Sequence, residues 1–437
     1  MTFDFKKNNQ YQFMKRIFVL SSLVAGYFLN AQSIGNSPYG AYGIGDVKYD
    51  NTVEINSMGG ISTAYIWDFN NSFNFRNPAA NTNLELTTLK VEGTNENNYY
   101  KSDFNNIDSK KHSTYVSNIS IAFPISKRVK FGMGFQPYSS KSYDIVTSKA
   151  LNSETTEIHN FRGEGSLNTI QAALSYQINT EFAVGLRSNF YFGKVQDIEE
   201  VAFTGAELIS GYANSYRVKA FNFTLGTTYQ KKLANDRKLT LGATYTIGNS
   251  GNLKSMYSNS TYYYLVGEQK VYENIVEQQS NFDKKFLPQE ASIGVGYGKD
   301  TKWFLGTQVD YKKGENINFL GQPFYYQDSY RYSVGGWYLP NFNNFRSYFS
   351  RVIYRYGAYY EKGNLQLNGT NINKMAITAG VTLPFQKSVI NRMNSLDIGL
   401  EVGKRGTLEN NMIRQNFINL RIGVNFADKW FNKKLYN

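Results

Sequence analysis

Cysteine is absent from the 437 residues, and histidine occurs twice, as His112 and His159. The first absence removes disulfides, thiolate metal sites and cysteine nucleophiles together. The second leaves too few imidazoles for a zinc site or a serine triad, and neither histidine has a motif partner near it. No catalytic residue, metal ligand or cofactor is therefore assigned, and the chain reads as a non-enzyme. Beyond residue 84 no apolar run reaches 18 residues, which excludes membrane-spanning helices there. Proline is scarce at 8, whereas Tyr and Phe number 35 and 31 and Gly 37. That balance favours pleated, half-buried strands over helices.

The N-terminus carries an address. From Met14 the chain reads MKRIFVLSSLVAGYFLNAQ, with Lys15 and Arg16 followed by an apolar run from Ile17 to Phe28 and then Ala31. A basic start, a short apolar core and a small residue before the cleavage point make a secretory signal peptide over residues 1–31. Its removal takes away Lys6, Lys7, Lys15, Arg16 and Asp4, lowering the formal charge from +13 by 3 to +10. A basic exported chain points to anionic surfaces such as outer-membrane lipid and lipopolysaccharide. Clustered basic residues in a recognisable nucleic-acid module are missing, so nucleic acid is not expected as a partner.

The rest of the chain alternates. In NTIQAALSYQIN one face holds Ile170, Ala172, Leu174, Tyr176 and Ile178, the other Gln171, Ala173, Ser175 and Gln177. Fourteen such segments are expected, at about 84–100, 112–125, 128–145, 166–179, 181–197, 214–231, 237–249, 291–299, 303–313, 329–338, 351–361, 375–385, 394–404 and 415–427. Long polar links (145–166, 198–214, 249–290, 313–329, 361–374) alternate with tight ones such as ISKR at 125–128 and GKDT at 299–302. An even strand number with one long-linked and one short-linked end describes an all-β transmembrane antiparallel β-barrel in a bacterial outer membrane, both termini periplasmic. Aromatics at strand ends, as in Tyr99–Tyr100 and Tyr359–Tyr360, suit interfacial girdles better than a soluble sandwich. The absence of a 40-residue repeat counts against a propeller. The expected organisation is a signal peptide at 1–31, an N-terminal segment at 32–83, a barrel at 84–427 and a periplasmic tail at 428–437.

Ahead of the barrel, residues 58–80 read MGGISTAYIWDFNNSFNFRNPAA. The stretch does not alternate, and its Gly and Asn suit tight, non-repetitive backbone inside a polar cavity. A barrel of this size leaves a lumen its own side chains cannot fill, and this segment is placed to plug it. Gly59 and Gly60 followed by small residues, a short Asn-containing gap, and Asn77-Pro78-Ala79 resemble the hatch of the FadL family of outer-membrane proteins. That resemblance implies a fourteen-stranded barrel with a luminal hatch that moves long-chain fatty acids and other hydrophobic small molecules into the cell. NSPYGAYGIGD at Asn36–Asp46 and the ending ADKWFNKKLYN resemble a Bacteroidota-type branch of that superfamily. Some members of that branch are type IX secretion components, so the alternative function is a barrel subunit that binds a secretion-system barrel or a cargo protein.

Charged residues within strands, Arg187, Asp310, Arg355, Asp397, Glu401 and Arg421, fall on the polar face and are expected to line the lumen and touch the hatch. Glu199 and Glu200 are neighbours on a strand and point to opposite faces, so they read as surface charge. Two expected loops carry apolar residues beyond the bilayer: Val201, Phe203, Leu208 and Ile209 in one, Tyr262, Tyr263 and Tyr264 in the other. They are read either as strand extensions packed together above the membrane or as a groove that captures hydrophobic ligands. Gly59, Gly60, Asn77, Pro78 and Ala79 are assigned to the hatch, which is expected to be displaced to release the solute.

Overall fold

The computed structural model describes residues 34–48, 51–103, 107–265, 269–314, 316–319, 322–344, 346–367, 369–385 and 394–429. The expected signal peptide and almost all of the C-terminal tail lie outside these residues. In chain order the strands are β1 (Asp46–Val47), β2 (Thr87–Ser102), β3 (Ile107–Pro124), β4 (Val129–Ser140), β5 (Tyr143–Ala150), β6 (Thr156–Gln177), β7 (Phe182–Phe203), β8 (Ile209–Leu233), β9 (Arg237–Ile247), β10 (Asn249–Leu265) and β11 (Gln269–Leu287). They continue as β12 (Glu290–Lys299), β13 (Trp303–Lys312), β14 (Asn316–Phe319), β15 (Gln322–Tyr325), β16 (Ser329–Tyr338), β17 (Ile353–Lys362), β18 (Gln366–Leu367), β19 (Thr370–Asn371), β20 (Lys374–Pro384), β21 (Ser395–Arg405) and β22 (Arg414–Asp428).

Fourteen of these close into an antiparallel barrel, in the order β2, β3, β4, β6, β7, β8, β9, β12, β13, β16, β17, β20, β21, β22. Closure is direct, since β22 pairs with β2 from Thr87↔Asp428 to Lys101↔Arg414. Period-two patterning explains which way each strand faces. Leu174, Leu186, Phe223, Leu225, Val295, Leu305, Val402, Leu420 and Ile422 stay exposed on the outside, while Gln171, Arg187, Asn222, Gln308, Glu401, Asn419 and Arg421 are buried within. In water such an apolar outer face would be costly, and a bilayer is the solvent that suits it.

Strand length divides the wall. β12, β13, β16 and β17 have 10 residues each, enough for one bilayer crossing. β6, β7 and β8 have 22, 22 and 25. Their extra length stands beyond the membrane at the end opposite the short links, and it corrects three expected loops. Residues 145–166 are mostly strand, the 198–214 link shrinks to 204–208, and 249–290 is a tall hairpin, β10–β11. The cause is pairing: β10 lies along the upper half of β8, from Asn252↔Lys219 to Tyr262↔Ile209, so its backbone donors and acceptors are satisfied there without a bilayer. Chain entry and exit, Thr87 and Asp428, sit together at the short-linked end.

Candidate passage site

Residues 51–86 fill the lower lumen as a plug that carries one helical turn, Val53–Asn56. Met58, Ile61, Ala64, Asn77 and Ala79 are wholly shielded. Polar wall side chains grip the plug backbone: Gln308 Oε1 accepts from the Ser62 and Thr63 amides at 2.8 Å each, and Thr378 Oγ1 accepts from Gly59 N at 2.9 Å. Arg187 donates to the Phe75 carbonyl at 2.8 Å, and Asn425 to that of Asn71 at 2.9 Å. Glu54 pairs with Lys90. Burial raises the Glu54 carboxyl, but Lys90 and Arg355 outweigh it and hold it down at about 2.

A belt of wall glycines gives the plug its seat. Across nine consecutive barrel strands, glycines pair or lie diagonally to one another: Gly185↔Gly226, Gly242↔Gly294, Gly296↔Gly306↔Gly335↔Gly357, and Gly380↔Gly399. A Cβ on Gly242 would run into the Thr63 carbonyl, and one on Gly357 into Met58. The plug follows the belt in order, Val53 and Ser57 against Gly399 and Gly380, Met58 against Gly335, Ile61 against Gly306, and Asn77 and Pro78 against Gly226 and Gly185. At Gly185, Gly242, Gly335 and Gly357 the wall and plug backbones meet closer than a Cβ would allow.

The hatch residues named from the sequence occupy this seat. Gly59 and Gly60 have φ of 69° and 92°, the left-handed region in which glycine costs least. Asn77 donates to the Thr63 carbonyl at 2.6 Å and the Thr227 carbonyl at 3.2 Å, and accepts from Ala79 N at 3.1 Å. Pro78 packs on Gly226, and the Ala79 carbonyl accepts from Thr228 at 3.3 Å. In this structure these residues are fixed to the wall and to one another at several points.

The wall itself is interrupted higher up. β3 and β4 pair only between Ile119↔Phe135 and Pro124↔Lys130. Above that point β4 keeps β6 on one edge, with Ser139 opposite Leu167, while β1 takes the place β3 has left, with Asp46↔Ser140 and Val47↔Ser139. Lys48 N donates to the Tyr138 carbonyl at 2.8 Å, and Ser139 Oγ to that of Ile44 at 2.8 Å. Two ion pairs hold this inserted strand: Asp46 with Arg405, and Lys48 with Glu96 at 2.9 Å. Burial raises the Asp46 carboxyl, but Arg405 and Lys48 override it and keep it at about 2.

Behind β1 the upper lumen is apolar on one side. Ile44 packs with Leu167, Val195, Tyr216, Val218 and Leu287. On the other side a cavity of about 120 Å³ is lined by charge, including Lys374, Arg405, Glu361 and Glu401. The strand charges flagged in the sequence do face inward. Besides Arg187, Glu401 binds Arg421 at 2.6 Å, Asp310 accepts from Gln308 at 2.8 Å, Arg355 lies 5.1 Å over the Trp67 ring and Asp397 accepts from Thr382.

The apolar residues expected in outer loops lie on the outer sheet, on both of its faces. Register puts Val201, Phe203 and Tyr263 on one face and Ile209, Tyr262 and Tyr264 on the other, with Leu208 in the turn between β7 and β8. Tyr262 is buried in a polar knot, where Glu200 accepts from it and pairs with Lys270 at 2.6 Å, and Lys270 lies 4.3 Å over its ring. Glu199, on the opposite face, meets His159 at 3.0 Å, and Glu157 meets the same ring at 3.2 Å. The two glutamates therefore point apart as expected, yet each has a partner. The wall glycines and the short β1 were missed from the sequence. Glycines recurring in the middle of otherwise good strands are the signal that could have revealed the first.

A family model described as BamG matches residues 13–437. No curated protein matches the chain. Among solved structures, a Pseudomonas aeruginosa FadL homologue is similar at TM-score 0.58 and 12% identity, over 88% of this chain and 100% of its own. The Pseudomonas putida toluene transporter TodX is similar at 0.54 and 14%, over 89% and 100%. The Ralstonia pickettii toluene transporter TbuX is similar at 0.54 and 12%, over 86% and 98%. At these identities the likeness concerns the fold, a FadL-type barrel.

Proposed function

Because this chain belongs to the BamG family and is built on the FadL-type plan, we propose that it is an outer-membrane channel through which hydrophobic molecules enter the cell. The observation that carries the reading is the parting of β3 from β4, with an apolar luminal cluster beside the gap and the short segment around β1 lying in it. A greasy solute that reached this cluster would leave sideways into the membrane once β1 released β4, while the lower plug stayed seated. Both termini would face the periplasm. Val201 and Phe203 with Leu208 would meet the solute at the outer sheet, and Gly59, Gly60, Asn77, Pro78 and Ala79 would keep the lower lumen shut.

The solute class includes small aromatic hydrocarbons and long-chain fatty acids. Toluene transport is the stated activity of two of the similar structures, and the luminal cluster offers aliphatic and aromatic side chains, Ile44, Leu167, Val195, Tyr216, Val218 and Leu287, to an apolar solute. Uptake of labelled toluene and oleate by cells with and without the gene tests this. Faster uptake of at least one solute is expected, and equal uptake of both would end the channel reading.

One observation favours a second reading, a docking role toward a secretion barrel or cargo protein. Among the described residues β11 pairs with β10 alone, and Tyr272 to Gln279 are exposed, so a long strand edge is open to an added strand. Stoichiometric recovery of such a protein in mild detergent, lost when 269–279 is deleted, would support that role over transport.

A further inference from the structure

On the outside of the barrel, at the end of the wall away from the short links, an apolar groove of about 870 Å³ runs across β16, β17, β20, β21 and β22 to β2. Its floor is a cross-strand row, Val334↔Ala358↔Ile377↔Val402↔Ile418. Ala358 is the small member, and larger neighbours rise around it. One step outward lies a second unbroken row, Tyr332↔Tyr360↔Met375↔Lys404↔Asn416↔Tyr99. Beyond Tyr99 stands Lys110, its ammonium 5.6 Å over the tyrosine ring. Asp108 at this rim is paired with Lys101 at 3.7 Å.

From this arrangement we infer that the groove seats an anionic, multi-acyl glycolipid of the outer leaflet, a lipid A, with acyl chains on the floor and phosphate at Lys404 and Lys110. Tyrosine and lysine above an apolar floor match a headgroup boundary, where an amphipathic ring and an ammonium each sit at the polar edge. Anionic headgroups complete the charge that the rim leaves in excess. Five strand steps from Tyr332 to Tyr99 at ~4.8 Å make an arc of roughly 24 Å, wide enough for a lipid of several chains. The inference rests on the outer-membrane placement proposed above and not on transport.

Native mass spectrometry of the detergent-solubilised protein, incubated separately with lipid A, dioleoylphosphatidylglycerol and dioleoylphosphatidylcholine, tests it without any solute. Lipid A is expected to be retained in preference to both phospholipids. Lys404→Gln should weaken that retention about fivefold, the effect of one lysine near a charged surface. Ala358→Trp, which fills the floor, should weaken it further. Heat-modifiable migration confirms that each variant is folded, and Lys404→Gln stands alone if Ala358→Trp is not. Equal retention of the three lipids, or of lipid A by native protein and Lys404→Gln, would overturn the assignment.

Discussion

Gln308 shows what a single side chain can do in this lumen. Its carbonyl oxygen serves two plug amides, those of Ser62 and Thr63, and all three residues are buried. Gln308→Ala strands both buried donors, at about 1–3 kcal/mol for each group left unmade. Hydrogen exchange at residues 58–64 should quicken while exchange in β13 stays slow. His159 offers a test at the other end of the molecule. Its hydrogen bond to Glu199, helped by Glu157 and opposed by burial, raises the imidazole above its ordinary value. The stability it lends is therefore full below about 6.5 and is lost as pH rises through the higher folded value. An NMR titration of His159 should give a midpoint above the ordinary one, and Glu199→Gln should lower it.

At the scale of elements, a gap in one seam and a belt on the opposite wall assign different mobilities to two halves of one N-terminal segment. Residues 51–86 seat on the glycine belt across nine strands, whereas 44–48 are held by the two β1–β4 rungs, the Lys48–Tyr138 and Ser139–Ile44 hydrogen bonds, the packing of Ile44 and two ion pairs. Arg405→Gln removes one of those pairs, at roughly 2 kcal/mol for a charge-assisted bond. Exchange at 44–48 should then rise, and uptake should rise with it if release of β1 limits passage. Unchanged uptake with faster exchange would detach β1 from the route. Asp46 and Glu54 sit at about 2, so the stability they contribute is complete above their ordinary values near 4 and fails only as pH falls through 2. Gly357→Val should instead prevent barrel closure around the plug, read as loss of heat-modifiable migration, because Met58 has nowhere to move.

For the whole molecule, the barrel was legible because a bilayer enforces period two: Leu174, Leu186 and Leu225 outside require Gln171, Arg187 and Thr224 inside. Where that solvent ends, the signal ends. From Tyr272 to Gln279 both faces of β11 are exposed, no alternation is imposed, and the stretch read as loop. The plug was visible in its Gly and Asn, but not its close seating, because Gly242 and Gly357 act through a backbone distant in sequence. β1 is two residues long and has no period to read.

Those two halves of the segment can be locked separately, since the chain has no cysteine of its own. A Cβ on Gly294 would lie 3.3 Å from Thr63 Cβ, close to the ~3.5–4.5 Å of a disulfide, so Thr63→Cys with Gly294→Cys ties the lower plug to the wall. Val47 and Ser139 stand directly opposite in the β1–β4 pair, and Val47→Cys with Ser139→Cys ties the inserted strand to its edge. The decisive measurement is uptake of a labelled hydrophobic solute by cells carrying each pair, oxidised and then reduced. The first lock should leave uptake unchanged, and the second should abolish it until a reductant is added. Uptake stopped by the first lock, or untouched by the second, would contradict a lateral route past a fixed plug.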